Sequence, residues 1–449
     1  MSGRRRSVAA LASLALLALA GAAATPVSAV SATSVDFGQP TIEGTFDTGM
    51  VATQPVALDG SVERIEILVT MADSPGPIVS EVEVPSTPGS TTLRHEFGGP
   101  GDHILPNTPV RVRWRITADG TARLGPEVRT VVADERFDWQ TISGDVVRVH
   151  WYEGDRAFGE RALRIGEREV EETSKLFGVE ETEPVDFFIY ADVDDFYVAL
   201  GPGTRENVGG QANADIRTMF AQIEPSAIDD PWVENVVPHE LIHLVFDTAV
   251  DNAYHFPPRW LNEGLAVYLS VGYDVGDRAS VEAAAEDGQL IPLDGLVAQF
   301  PTSGFGFSLA YAESVSAVDY LIRTHGEDAL LSLIRSYADG RTDDEAFEGA
   351  IGMDVAEFND AWLADIGAKE PVKYGPQPAP AGPRPADWGA GPSPAPGTTL
   401  PPIATDRPVV RSAPLDSVVL PPVTIWVAFI LVAGAVVGLV LARSRSARR

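Results

Sequence analysis

His239-Glu240-Leu241-Ile242-His243 sets two imidazoles four residues apart, with a carboxylate directly after the first. On a helix, residues i and i+4 share a face, so both rings can grip one cation. Glu240 then stands as general base for a water that the cation polarises. A second segment, Trp260-Leu261-Asn262-Glu263-Gly264-Leu265-Ala266, brings another carboxylate, Glu263. Two histidines and a third protein ligand leave one tetrahedral position open, which is the arrangement of a catalytic zinc site rather than a structural one. H-E-x-x-H alone arises by accident, and its pairing with the Asn-Glu-Gly segment is what makes the signal specific.

Several elements must position these side chains. Asp229-Asp230-Pro231 reads as a helix start, with Pro at the first helical position. The helix is expected to run to about Thr248, bent at Pro238. Ahead of it, spacing predicts a strand over Val146–Trp151, a helix over Asp155–Leu176, a strand over Val185–Tyr190, a short helix over Asp194–Leu200 and a strand over Ile216–Ile223. Behind Glu263 the chain reads as almost wholly helical: Ser308–Thr324, Asp328–Tyr337, Asp343–Ala350 and Asp354–Ala368. Thr342 with Glu345, and Asp354 with Glu357, form helix N-terminal boxes. A mixed lobe before the motif and a helical lobe behind it would leave a cleft between them, a usual place for a ligand.

The two motifs together resemble those of the gluzincin metallopeptidases. The Trp260–Gly264 stretch is similar to that of the aminopeptidase N family. The whole run, from H-E-x-x-H through W-L-x-E-G-x-A to a Tyr-bearing helix at Tyr311-Ala312-Glu313-Ser314, resembles smaller peptidase MA-like domains. The resemblance covers about residues 145–368. It implies an α+β gluzincin-like catalytic domain with a helical C-terminal lobe. It also implies Zn2+ held by His239, His243 and Glu263, with Glu240 activating water. Tyr311 is its candidate donor to the oxyanion, with a half-buried helix tyrosine as the plain alternative; Tyr268 is a weaker candidate. Asp247, four residues past His243, is either a brace for that ring or part of a solvated helix face. His255 and His325 read as loop and helix-end residues. Aminopeptidases of that family carry Gly-x-Met-Glu-Asn upstream, whose Glu holds a free amine. Here Gly209-Gly210-Gln211-Ala212-Asn213 has Ala212 at that place, which points toward an endopeptidase.

The remainder of the chain supplies address and packaging. Residues 34–134 alternate apolar and charged side chains, as in Val110, Val112, Trp114 and Ile116 against Arg111, Arg113 and Arg115. With Gly/Pro turns between short runs, this predicts an all-β sandwich, Ig-like in kind. Residues 1–29 read as a signal peptide: Arg4-Arg5-Arg6, an Ala/Leu run, then Val27-Ser28-Ala29. Residues 370–422 are rich in Pro, Ala and Gly and read as a disordered stalk. Residues 423–442 read as a transmembrane helix, and 443–449 as a basic cytoplasmic tail. The expected placement is therefore a single-pass protein of the cell membrane with an extracytoplasmic body. The chain has no cysteine, which excludes disulfides and thiolate zinc sites. A net charge of −31 repels nucleic acid and serves either solubility or the attraction of cationic partners.

The expected architecture is thus multidomain: sandwich, catalytic domain, stalk and span. The expected function is a cell-surface zinc metallopeptidase acting on a peptide or protein substrate. Two alternatives stand beside it, a non-catalytic zinc-containing binding protein and a zinc hydrolase of non-protein amides or esters. The residues carry no information on oligomeric state.

Overall fold

The computed structural model describes residues 33–371, apart from 73, 100, 203–208, 253 and 303. The first module comprises β1 (Val35–Phe37), β2 (Thr41–Thr45), β3 (Gly49–Leu58), β4 (Arg64–Met71), β5 (Ile78–Val82), β6 (Gly89–Phe97), β7 (Pro109–Ala118), β8 (Thr121–Leu124) and β9 (Val128–Val131). They form two antiparallel sheets, with β3 central to one (beside β1, β2 and β6) and β4 and β7 central to the other (beside β5, β8 and β9). Alternation explains the packing: Val110, Val112, Trp114 and Ile116 are wholly buried, as are Ile65 and Ile67 on β4. They meet Met50, Ala52, Val56 and Leu93 from the other sheet in one core, which makes the module a sandwich.

The second part runs β10 (Gln140–Ser143), β11 (Val147–Trp151), α1 (Arg156–Phe177), β12 (Val185–Tyr190), α2 (Val193–Leu200), β13 (Gly210–Asn213), β14 (Thr218–Gln222), α3 (Val233–Val250), α4 (Arg259–Ser270), α5 (Val275–Asp287), α6 (Gly304–His325), α7 (Glu327–Ala338), α8 (Asp343–Ile351) and α9 (Val355–Asp365). Its five-stranded sheet has the order β10-β11-β12-β14-β13. The inner strands β11, β12 and β14 are parallel, and the edge strands β10 and β13 are antiparallel to their neighbours. Val147, Val149, Phe187, Ile189, Met219 and Ala221 point to one face, where α1 and α3 cover them. Residues between them, Phe188, Tyr190 and Phe220, point the other way into an aromatic cluster with Phe137, Trp139, Tyr152 and Phe196.

The sandwich is fastened to that second face. Asn107 Nδ2 donates to Asp186 Oδ2 at 3.0 Å and to Thr218 Oγ1 at 2.8 Å. Asp186 also accepts from Arg148 through both its oxygens, at 2.8 and 2.7 Å. Burial opposes ionisation of Asp186, but His150, Arg148 and Asn107 outweigh it and hold the carboxyl at about 2.

Both N-terminal boxes form, at Thr342 with Glu345 and at Asp354 with Glu357. The expected helix start at Asp229–Pro231 is corrected: α3 begins at Val233, preceded by turns, and no side chain caps it. Pro238 lies inside α3 without ending it. α5, β13 and the edge strand β10 escaped the sequence patterns. Only Val281 and Ala284 are buried on α5, so it carries no apolar stripe. β13, Gly-Gln-Ala-Asn, has no apolar alternation at all.

The fold class itself needs correction at its C-terminal end. No helix among the described residues is long and apolar enough to cross a membrane. The span expected over 423–442 lies outside those residues, as do the signal segment over 1–29, nearly all of the stalk over 370–422 and the tail over 443–449. The architecture that stands is a β-sandwich followed by an α+β domain with a helical C-terminal lobe.

Candidate metal centre and active-site cavity

α3 carries His239, Glu240 and His243, while α4 carries Glu263. α3 is apolar on most sides because it is wedged between α1, the sheet and the helical lobe: Val237, Leu241, Leu244 and Val245 are all in the core. That packing fixes the rotation of the helix and turns the two rings toward α4. Trp260, wholly buried, anchors α4 in the helical lobe, stacked on Phe358 with ring centroids 5.8 Å apart. Gly264 then lets α4 lie directly against α6: a Cβ there would run into the Ser314 carbonyl oxygen. No side chain fits in that gap, and the close approach sets Tyr311 of α6 near Glu263.

The three donors converge. His239 Nε2 and His243 Nε2 are 3.3 Å apart, and Glu263 Oε2 lies 3.5 Å from the first and 3.4 Å from the second. A cation held at about 2.0–2.1 Å by one face of a tetrahedron spaces its ligands about 3.3–3.4 Å apart, so these edges fit such an ion. Glu263 Oε2 is buried with no hydrogen-bond partner, as a ligand atom would be. The other oxygen, Oε1, accepts from Arg259 Nε at 3.0 Å and from its Nη2 at 2.7 Å. His243 Nδ1 lies 2.8 Å from Asn262 Oδ1. With the Asn oxygen accepting, the proton of the neutral ring sits on Nδ1, and Nε2 keeps its lone pair for a cation.

The electrostatics agree. Burial pushes the Glu263 carboxyl up, but His239 and His243 outweigh it and hold it well below the usual carboxylate range. Burial opposes charge on His243, yet Glu263 and Glu240, with Asn262, raise the ring to about 9. The pocket therefore favours positive charge at the point where the rings and carboxylate meet.

Glu240 sits beside the donors rather than among them. Its Oε2 accepts from the Ala212 backbone N–H of edge strand β13 at 2.9 Å. The strand approaches so closely that a Cβ at Gly210 would meet Glu240 Cγ at 2.8 Å. Tyr311 stands across the cavity, its ring centroid 6.3 Å from that of His239, packed on Phe300 and Phe307. Burial, with the charge of Glu263, raises the Tyr311 phenol, so it is a proton donor at neutral pH. His239, Glu240, His243, Glu263 and Tyr311 all line one cavity of about 540 Å3, with Gly210, Gln211 and Ala212 of β13 along one wall.

A family model described as the Peptidase MA superfamily matches residues 168–368. The matched stretch carries His239, Glu240, His243, Glu263 and Tyr311. No curated protein matches the chain. Among solved structures, the chain is similar to a mutant M1 zinc metallopeptidase from Deinococcus radiodurans bound to a Tyr-Ser-Ala substrate, at 13% identity and a TM-score of 0.37, covering 77% of this chain and 97% of that one. An aminopeptidase N family protein from Idiomarina loihiensis is similar at 11% identity and a TM-score of 0.35, covering 70% of this chain and 60% of that one.

Within residues 168–368 the structure gathers His239, Glu240, His243, Glu263 and Tyr311 and leaves other candidates aside. Tyr268 packs against the core rather than lining the cavity. His255 bonds Asp343 at 2.9 Å, and His325 ends α6. Asp247 lines the cavity, but the bond to His243 belongs to Asn262. Two residues escaped the sequence reading. Asn262 was legible only as a letter inside the motif. Arg259 lies four residues before Glu263 on one helix, a spacing that signals an ion pair.

Proposed function

We propose that this protein is a zinc metallopeptidase that hydrolyses internal peptide bonds, with zinc held by His239, His243 and Glu263. Bound zinc supplies Lewis acidity to water and to the scissile carbonyl. Glu240 takes the proton of the attacking water and delivers it to the leaving amine. The Ala212 N–H fixes Glu240 Oε2, which leaves Oε1 for that exchange. Tyr311 donates its phenolic proton in a hydrogen bond to the oxyanion. Arg259 orients Glu263, and Asn262 orients His243.

The observation that carries this reading is the convergence of two histidines and a carboxylate at tetrahedral spacing, with Glu240 beside them and an edge strand along the same cavity. An extended peptide can pair with the remaining outward backbone groups of β13, the outermost strand of this sheet among the described residues. Ala212 offers no carboxylate to hold a free amine, which favours internal cleavage over removal of an N-terminal residue. Action outside the cytoplasm belongs to the same proposal and rests on the order of basic, apolar and small residues over 4–29.

Glu240→Gln tests the mechanism. The variant should retain its zinc, measured by elemental analysis, and lose about 10^2–10^4 in kcat on an N-terminally acetylated peptide. Undiminished turnover with full metal would remove Glu240 from the chemistry.

A further inference from the structure

Asp247 lies on α3 one helical turn beyond His243, on the face that carries His239 and His243, and it lines the same cavity. Its place in the sequence suits a brace for His243, but Asn262 fills that role. Among the described residues no hydrogen bond or ion pair engages the Asp247 side chain. Arg217, the cation that acts on it, is bonded to Glu181 at 2.6 Å, to the Glu183 carbonyl at 2.9 Å and to Thr248 at 3.3 Å. Arg259, the one Lys or Arg among the described lining residues, is committed to Glu263. Burial, with Asp215 and Asp251, raises the Asp247 carboxyl to about 6, so it is mostly ionised at neutral pH. The result is a half-buried anion inside the cavity with no counter-charge of its own. A partly desolvated carboxylate of this kind gains most from a cation that enters with the ligand.

We propose that Asp247 selects peptides bearing a Lys or Arg side chain beside the scissile bond by pairing with that cation inside the cavity. The inference deepens the peptidase reading above and rests on it. Asp247 lies about 6 Å farther along the helix axis than His243. A long basic side chain can cover that offset while its backbone lies along β13. Leu244, Phe256 and Pro257 give its aliphatic stem an apolar wall. An N-terminal amine offers the same charge, so the test must separate the two sources.

Peptides with Lys, Arg, Gln or norleucine at each position within two residues of the cleaved bond are made with free and with acetylated N-termini. The zinc-loaded parent should cleave the Lys and Arg peptides with kcat/KM about 10- to 100-fold above the norleucine peptides, acetylated or not. Asp247→Asn should bring that ratio close to one while keeping the parent's zinc content, and Asp247→Lys should shift the preference to Glu-bearing peptides. An unchanged ratio in Asp247→Asn overturns the proposal. A preference abolished by acetylation assigns Asp247 to a free amine and overturns it as well. Loss of zinc from Asp247→Asn makes the residue a ligand brace and has the same effect. Calorimetric binding of an acetylated Lys peptide in the Glu240→Gln background needs no turnover. There, adding Asp247→Asn should weaken Kd about tenfold or more. Should the parent cleave nothing, this arm still decides on Asp247 while the peptidase reading fails separately.

Discussion

At the scale of single residues, two of the three donors at the centre have their spare atom held. Glu263 presents Oε2 because Arg259 occupies Oε1, and His243 presents Nε2 because Asn262 occupies Nδ1. Asn262→Ala frees the ring to rotate and to change tautomer. Metal affinity should fall about 10- to 100-fold, read by competition with a chromophoric chelator, while the helical content stays constant. Unaltered affinity would deny Asn262 its orienting role. The ligand types and Glu240 were legible because H-E-x-x-H fixes helical geometry through its spacing alone. Asn262 and Arg259 were less so, since their roles depend on how α4 is rotated against α3, and that rotation is set by Trp260 and Gly264 packing on the helical lobe.

At the scale of elements, the helical lobe holds a buried acid that the chemistry does not use. Glu313 of α6 is wholly buried. One oxygen accepts from the Ile291 N–H at 2.9 Å, and the other has no partner. Burial, opposed by that one bond, raises its carboxyl to about 8. The unfolded chain releases this proton near the ordinary carboxylate pKa, while the folded chain keeps it. Stability from this group is therefore complete at low pH, declines as pH rises above about 4.5, and is gone above about 8. Glu313→Gln removes the titration. Between pH 5.5 and 8.5 the parent should lose about 2–4 kcal/mol relative to the variant, measured by denaturant unfolding at both pH values. Parallel pH profiles would show that the carboxyl is not buried as the neutral acid. Periodicity made the long elements legible: β12 spans Val185–Tyr190 as expected, and the boxes at Thr342 and Asp354 start their helices. β13 was invisible to it, because an edge strand of Gly, Gln, Ala and Asn is defined by its neighbour β14 and by Glu240 rather than by its own pattern.

At the scale of the whole molecule, Asn107 in a sandwich loop ties the sandwich to two strands of the catalytic sheet, beside a bond from His103 to the Ala199 carbonyl of α2. Asn107 adopts φ 67°, a backbone that suits Asn or Gly, and its amide reaches two different strands. Asn107→Ala loses both bonds and strains the turn, whereas Asn107→Gly loses only the bonds. The first should lower stability by about 2–3 kcal/mol and the second by about 1–2 kcal/mol, seen as graded falls in Tm. Equal Tm values across all three proteins would mean that the tie carries no weight. No sequence pattern reveals such a seam, since Asn107, Asp186 and Thr218 are far apart in the chain and share no period. Local composition did reveal the sandwich itself. The spanning helix expected over 423–442 lies outside the described residues, among which no helix is long and apolar enough to cross a membrane.

The donor set is divided between two helices, with His239 and His243 on α3 and Glu263 on α4. A cation gripped by all three therefore does for residues 243 to 263 what a cross-link does, closing the connecting loop from outside the covalent chain. Unlike a disulfide, which this cysteine-free chain cannot make, it can be withdrawn by dilution, and its contribution grows with the logarithm of the free ion concentration.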